Sequence, residues 1–305
     1  MASNPNTQQL TDVLQRLFER LGGVVIKLTD GSNTVAVDTK MADLLGDGNI
    51  DDFLLGGTLI VIEDAGGAHA APEGEVGYIS SYDSGLTTIT IETALSAAMG
   101  VGDKVMYAGS DFPLYDMIEQ VNHALHHLQE IPVPDESITT VDGQTVYDLP
   151  VGLRGEQLID VLVQTSLTVG DEQYIPVEGW GYVPQSTPSQ PTKLVLPYLP
   201  AGYKIRLIYS GIHPRVSLWN DTISEYLHPD LVHAAVFAHA IQWKNDQNAV
   251  QGGADDSMLR LEQKAWSQFD RARIMHPPQI PPRRIQGMPH WNPTYTIRNY
   301  DLPPN

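Results

Sequence analysis

The chain has 305 residues and no cysteine, which leaves length for two or three domains and removes disulfides and thiolate metal sites. Its formal charge of −19 is uneven: from Arg271 onward there are five arginines (Arg271, Arg273, Arg283, Arg284, Arg298) against one acid, Asp301, so the rest holds 13 basic against 36 acidic residues, a balance of −23. Such a body repels nucleic acid at long range and offers no phosphate-binding footprint. It favours solubility, or a surface that DNA must pass without sticking. No apolar run is long enough to span a membrane, and MASNPNTQQL lacks a basic region followed by an apolar stretch, so neither a membrane partner nor a signal peptide is expected.

Thr7 to Leu21 reads as an amphipathic helix with Leu10, Val13, Leu14, Leu17, Phe18 and Leu21 on one stripe, stopped by Gly22-Gly23. The period then changes to two. Val24–Leu28, Thr34–Asp38, Thr58–Glu63, Val76–Ser81, Thr87–Glu92 and Lys104–Tyr107 read as strands separated by Gly, Asp and Pro clusters. Met41–Leu45 and Ala94–Met99 read as single helical turns within this unit, which is expected to be a small barrel or sandwich.

From Asp111 to Glu130 a second amphipathic helix is expected. Its stripe is Leu114, Met117, Ile118, Val121, Ala124, Leu125 and Leu128, with Asp111 as N-cap and Pro113 in the first turn. Ile131-Pro132-Val133-Pro134 ends it, because residues before proline avoid the helical region. Ser137–Val141 and Thr145–Leu149 flank Asp142-Gly143 and read as a hairpin. Gln157–Gln164, Glu172–Pro176, Trp180–Val183, Lys193–Leu196 and Tyr203–Tyr209 continue a second β unit. In the last of these, Tyr203, Ile205, Leu207 and Tyr209 share one face.

Helix returns near the end. Leu218–Leu227 is a short candidate. Pro229 opens a helix that is apolar nearly all round from Leu231 to Trp243, as a helix buried on most sides would be. After Gly252-Gly253, a last helix runs to Arg273 with Met258, Leu261, Ala265, Phe269 and Ala272 inward. The expected class is α+β, a discontinuous four-helix bundle with two inserted antiparallel β units and an extended C-terminal tail. Its parts are residues 1–23 and 109–134 (bundle), 24–108 (inserted β domain), 135–216 (β-sandwich), 217–275 (bundle) and 276–305 (tail). The tail carries eight prolines, so it has no core of its own, but Arg283, Arg284, Trp291, Tyr295, Arg298 and Tyr300 are suited to anchoring on a partner surface.

Chemistry is harder to find. Glu119, His123, His126, His127 and Glu130 share a helical face opposite the apolar stripe, and His123 and His127 have the spacing of a two-histidine metal pair without an HExxH motif. A solvated or inter-subunit face is the expectation, and no metal or cofactor is assigned. His233 and His239 lie six apart and point different ways. Asp47 to Asp51 begins like a calcium loop, but Asp52 and Thr58 stand where Gly and Glu belong. No phosphate-cradling glycine motif, GxSxG elbow or cysteine nucleophile is present, so no enzyme is expected.

One resemblance does emerge. YDMIEQVNHALHHLQEIPVPDESITTVDGQTVYDLP, followed by LIDVLV, resembles the head-to-tail connector (adaptor) proteins of tailed bacteriophages. In those proteins D-x-I-x-x-x-N-x-A-L leads into T-T-V-x-x-Q-x-x-Y-x-L-P. Here the positions are Asp116, Ile118, Asn122, Ala124 and Leu125, then Thr139, Thr140, Val141, Gln144, Tyr147, Leu149 and Pro150. HPDLVHAAVFAHAIQWKND resembles the buried helix of the same class, so the likeness spans about Leu114 to Phe269. It implies a virion neck protein, assembled in the host cytoplasm into a ring, usually of twelve copies. That ring would sit below the portal protein and around the DNA channel, joined to tail or tail-completion proteins. The unit at 24–108 departs from the smallest adaptors. A tail-tube, tail-completion or baseplate protein is the nearest alternative. A carbohydrate-binding or glycan-cleaving module using Trp180, Tyr182 and Tyr198 is the alternative from another class.

Overall fold

A computed structural model describes residues 8–38, 54–66, 73–128, 130–166, 173–184, 191–250 and 256–278. Among them the chain is mixed α and β, with four α-helices and several antiparallel sheets. It divides into two compact units. The first joins Met1–Leu128 to Pro214–Pro278, and the second holds Gln129–His213.

In the first unit a two-residue strand β1 (Gln8–Gln9) leads into helix α1 (Leu10–Arg20), whose buried stripe is Leu10, Val13, Leu14, Leu17 and Phe18. A helix start leaves backbone N–H groups without intrahelical partners. Here a distant segment meets them: Leu10 N–H donates to the Asp221 carbonyl (2.9 Å) and Thr11 N–H to the Trp219 carbonyl (3.2 Å). The Asp12 carboxylate accepts the Gln9 N–H at 2.9 Å. At the other end Gly22 takes φ +87° and Gly23 N–H donates to the Phe18 carbonyl at 2.7 Å, closing the helix as the Gly-Gly pair predicts. A Cβ on Gly23 would meet the Tyr107 carbonyl oxygen at 2.6 Å, so that glycine is also a packing requirement.

Seven strands follow, all paired antiparallel: β2 (Val24–Lys27), β3 (Asp30–Gly31), β4 (Val35–Val37), β5 (Thr58–Glu63), β6 (Val76–Asp83), β7 (Thr88–Ile91) and β8 (Lys104–Ala108). Their order is β2-β8-β5-β6-β7-β4-β3, so the first and last strands in that order are joined by only residues 28–29. The core holds Ile26, Leu59, Val61, Ile79, Ile89, Ile91 and Met99 among others. The helical turn expected at Ala94–Met99 is absent. That stretch is a series of bends in which Leu95 and Met99 donate their N–H groups to Asn33 and Ser32 carbonyls and bury their side chains. Met41–Leu45 lies outside the described residues.

Helix α2 (Leu114–His127) is shorter than the expected 111–130. Pro113 occupies the capping position, and the Asp111 carboxylate accepts from Lys244 (2.7 Å) instead of capping. The helix stops early because a strand begins at Ile131. The candidate helix at Leu218–Leu227 is also absent. The Asp221 carboxylate accepts the Ser217 and Leu218 N–H groups, and a short strand at Thr222–Ile223 pairs with β1, Gln8 opposite Ile223.

Helix α3 (Pro229–Val250) buries Leu231, Val232, Ala235, Val236, Phe237, Ala238, Ala240 and Ile241. No one neighbour covers residues that point all round an axis. α3 accordingly packs against α1, α2 and α4 (Asp256–Met275). α4 turns its Met258–Leu261–Ala265–Phe269–Ala272 side inward, with Ala265 and Phe269 fully buried.

In the second unit, strands at Tyr174–Pro176, Leu158–Gln164, Lys204–Gly211 and Ile131–Thr139 form one antiparallel sheet, in that order. Strands at Val146–Asp148, Lys193–Val195 and Gly181–Val183 form another. Both sheets contribute to one core, including Ile138, Tyr147, Leu149, Leu158, Leu194, Ile205 and Leu207. The Asp142-Gly143 turn exists, with Gly143 at φ +71°, but the hairpin does not: its two flanking strands enter different sheets. Pro132 and Pro134 lie within the Ile131–Thr139 strand, where they pair with Ser210 and Ile208 at a sheet edge that tolerates their missing N–H groups.

Leu125, 1% exposed on α2, tests the packing of the helices. Leu125→Asp should lower the unfolding free energy by about 3–4 kcal/mol. The same change at exposed His126 should cost little, and equal melting of the two variants in denaturant would mean that α2 does not bury this face.

Candidate functional site

The six tail residues proposed as anchors, Arg283, Arg284, Trp291, Tyr295, Arg298 and Tyr300, lie outside the described residues, as does the calcium-like loop at Asp47–Asp51. The aromatic trio at 180–198 does not make an exposed platform. Trp180 is 7% exposed in the core of the second unit and Tyr182 packs against the same core; Tyr198 alone is open, with its hydroxyl donating to Asp142 (2.8 Å).

The five-residue histidine face is also taken apart. Glu119 pairs with Arg215, and Glu130 lies past the helix end and accepts the Ser210 hydroxyl. His123 and His126 stay exposed. His127 turns to α3, where its Nδ1 lies 3.1 Å from His239 Nε2, and its ring packs on Trp266 and Phe269 of α4. His239 meets His127 edge-on and also packs on Trp266. His233, on another side of α3 as its spacing requires, accepts from the Gln8 amide at 2.9 Å. Burial, reinforced by His127 and His123, pushes His239 down to about 4. Burial, then mainly Arg16, pushes His233 down to about 4 as well. Both rings are therefore neutral at pH 7 and present lone pairs rather than charge.

The resemblance-bearing motif residues have structural work. Asn122 Nδ2–H donates to the carbonyls of Ile118 (3.0 Å) and Val216 (2.9 Å), while its Oδ1 accepts the Val216 N–H (2.8 Å). One carboxamide thus fastens α2 to the chain where it re-enters the first unit. In the second unit Tyr147 donates its hydroxyl to the Gln144 carbonyl (2.9 Å) and accepts the Val141 N–H (3.1 Å), and the Thr140 hydroxyl accepts the Tyr203 N–H (2.8 Å). These residues set turns and joints.

Among the described residues of the second unit there is a dense charge cluster. Arg206 pairs with Glu136 and lies 3.8 Å above the Tyr174 ring, with Lys204 beside it. Burial pushes the Glu136 carboxyl up, but Arg206, Tyr174 and Lys204 outweigh it and hold the group below its ordinary value. Cross-strand pairing accounts for this cluster.

Sequence reading missed one group altogether. His228, Asp230 and His276 bring three metal-ligand atoms within 4.8 Å of one another. Two of the three are separated by the whole of α3 and α4, so only the antiparallel pairing of those helices could have shown it. No helix among the described residues is long and apolar enough to cross a membrane. No known family model matches this chain, and no curated protein matches it either.

The two depressed histidines generate a pH dependence. Between pH 6.5 and about 4 the unfolded chain binds more protons than the fold at His233 and His239. Their contribution is thus fully present above about pH 6.5 and is lost as pH falls toward 4. Each contributes on the order of 2 kcal/mol once partial exposure is allowed for. Melting temperature should drop across this window, and His239→Gln, which has no ring to protonate, should shallow the drop. Parallel pH profiles for variant and wild type would refute this account of the buried ring.

Proposed function

We propose that this chain is a structural virion protein, a head-to-tail connector that forms a ring below the portal and around the DNA channel, with no catalytic role. The observation that carries the reading is the Asn122 joint. The asparagine of the connector-like motif holds α2 against Val216, thirteen residues before the start of the buried helix α3, and Gln129–His213 is inserted between these points. The two helical stretches that carry the resemblance, on α2 and α3, thus pack within one unit, which supports the reading. In this reading the four helices are a discontinuous bundle, the seven strands a small barrel closed through residues 28–29, and the two sheets of the second unit a sandwich.

The charge distribution supports the same role. A ring built from a body of −23 presents carboxylates to passing DNA, and a wall without phosphate contacts has no binding wells to stall it. The arginines and aromatics after Pro278 are the docking strap. Arg283, Arg284 and Arg298 would meet acidic groups on a neighbouring copy or the portal, and Trp291, Tyr295 and Tyr300 would fill pockets there. Prolines keep such a strap extended, which lowers the entropy lost on docking.

The test is assembly on portal-bearing heads. Twelve copies of a 33.5 kDa chain should add about 400 kDa, in a ring whose lumen is net acidic. Truncation after Pro278 should leave the melting temperature of the chain nearly unchanged while abolishing occupancy of the heads. Wild-type occupancy by the truncated chain would remove the strap from the proposal, and a net basic lumen would remove the sliding wall.

A further inference from the structure

We propose that His228, Asp230 and His276 form a binding site for a borderline divalent cation of the Zn2+ type, which clamps the start of α3 to the end of α4. The inference is independent of the connector reading.

The two helices make an antiparallel pair. Near their connecting residues Asn245 donates to Glu262 (2.6 Å) and to the Met258 carbonyl (3.2 Å), midway His239 meets Trp266, and at the open end His228 meets His276. Both histidine backbones are fixed there. The His228 carbonyl accepts from Leu231 (3.0 Å) and Val232 (3.2 Å), and the His276 N–H donates to Ala272 (2.8 Å). The two rings lie face to face, centroids 3.8 Å apart and planes within 6°. His228 Nδ1 is 3.8 Å and His276 Nε2 3.9 Å from the same oxygen, Asp230 Oδ2.

Those separations are too long for hydrogen bonds. One carboxylate oxygen faces two imidazole nitrogens and bonds neither. A cation among them resolves the arrangement. Tetrahedral Zn2+ with bonds of about 2.1 Å holds its ligand atoms about 3.4 Å apart, against 3.8 and 3.9 Å for the two edges to Asp230. Imidazole lone pairs lie in the ring plane, so the two histidines must also swing out of their parallel stack to aim both nitrogens at one ion. The donor set selects the metal class: two imidazoles and one carboxylate suit Zn2+, Co2+ or Ni2+, whereas Ca2+ and Mg2+ require more oxygen ligands. Water would complete the coordination, because all three side chains are solvent-accessible, at 38%, 65% and 29%.

Two local effects oppose binding, and one favours it. The Asp230 N–H donates to His228 Nδ1 at 3.2 Å, and that bond must give way to the cation. The positive end of the α3 dipole repels a cation, while the negative end of α4 attracts one. The Asp230 carboxylate adds the deciding charge. The clamp would fix the point at which the chain leaves α4 for the proline-rich segment.

The experiment uses the full chain, stripped with chelator and titrated with Zn2+ by calorimetry and with Co2+ by visible absorption. One cation per chain should bind, with a rise in melting temperature. Asp230→Asn and His276→Phe, the second of which keeps an aromatic stack on His228, should each weaken binding at least about tenfold and abolish the thermal shift. His123→Ala with His127→Ala should leave both unchanged. Melting of the stripped variants at the wild-type temperature would establish that they fold. Absence of stoichiometric binding by the wild type overturns the proposal. So does binding that survives the first two variants or disappears with the His123 and His127 pair.

Discussion

Half of α3 is apolar on every side, and water must be kept from all of it. Leu231, Val232, Val236, Phe237 and Ile241 radiate in directions that no single partner can shield, while Ala235, Ala238 and Ala240 let neighbouring backbones come close. Three helices are needed, and the chain supplies them from residues 10–20, 114–127 and 256–275. The discontinuity of the first unit follows from that demand. Everything between those segments must leave and come back, so the seven-stranded sheet and the second unit are excursions from one hydrophobic requirement.

The polar groups within this packing act as pins. Apolar contact is indifferent to small slides of one helix on another, whereas Asn122 on Val216, Gln8 on His233 and Lys244 on Asp111 are met at one register only. The same exclusion of water that gives α3 its stability keeps His233 and His239 uncharged. Stability and acid sensitivity are therefore two readings of one burial.

Periodic signals survived into the fold, and signals that depend on a distant partner did not. The stripes of α1, α2 and α4 can be read from spacing alone, and Thr58–Glu63 has the same limits in sequence and structure, because a short apolar run bounded by glycines is a local signal. The Asp142-Gly143 turn was legible for the same reason, since Gly143 needs positive φ whatever follows. Its hairpin was not, because strand pairing is decided by which neighbours complete the sheets, and Lys193–Val195 and Lys204–Gly211 begin 50 and 61 residues after Gly143. Leu218–Leu227 failed as a helix for a like reason: its backbone was claimed by Leu10, Thr11 and the strand at Gln8–Gln9. At the level of sites, the spacing of His123 and His127 drew the eye to one helix face. His228, Asp230 and His276 carried no spacing signal, since a contact across two helix ends has no period.

The cap on α1 has a consequence in time. Leu10 and Thr11 rely on carbonyls of Asp221 and Trp219, and the stripe behind them rests on α3. A ribosome adding roughly 5–20 residues per second would need roughly 10–40 s to deliver those partners after α1 has been made. For that interval the side of α1 that rests on α3 and the two-residue strand edge wait for their partners. The second unit, whose described residues all lie between Gln129 and His213, has no such debt to the N-terminus and can close as soon as that stretch emerges. The order of maturation therefore runs against the order of synthesis: the middle of the chain settles first, and the first helix is among the last pieces to find its place.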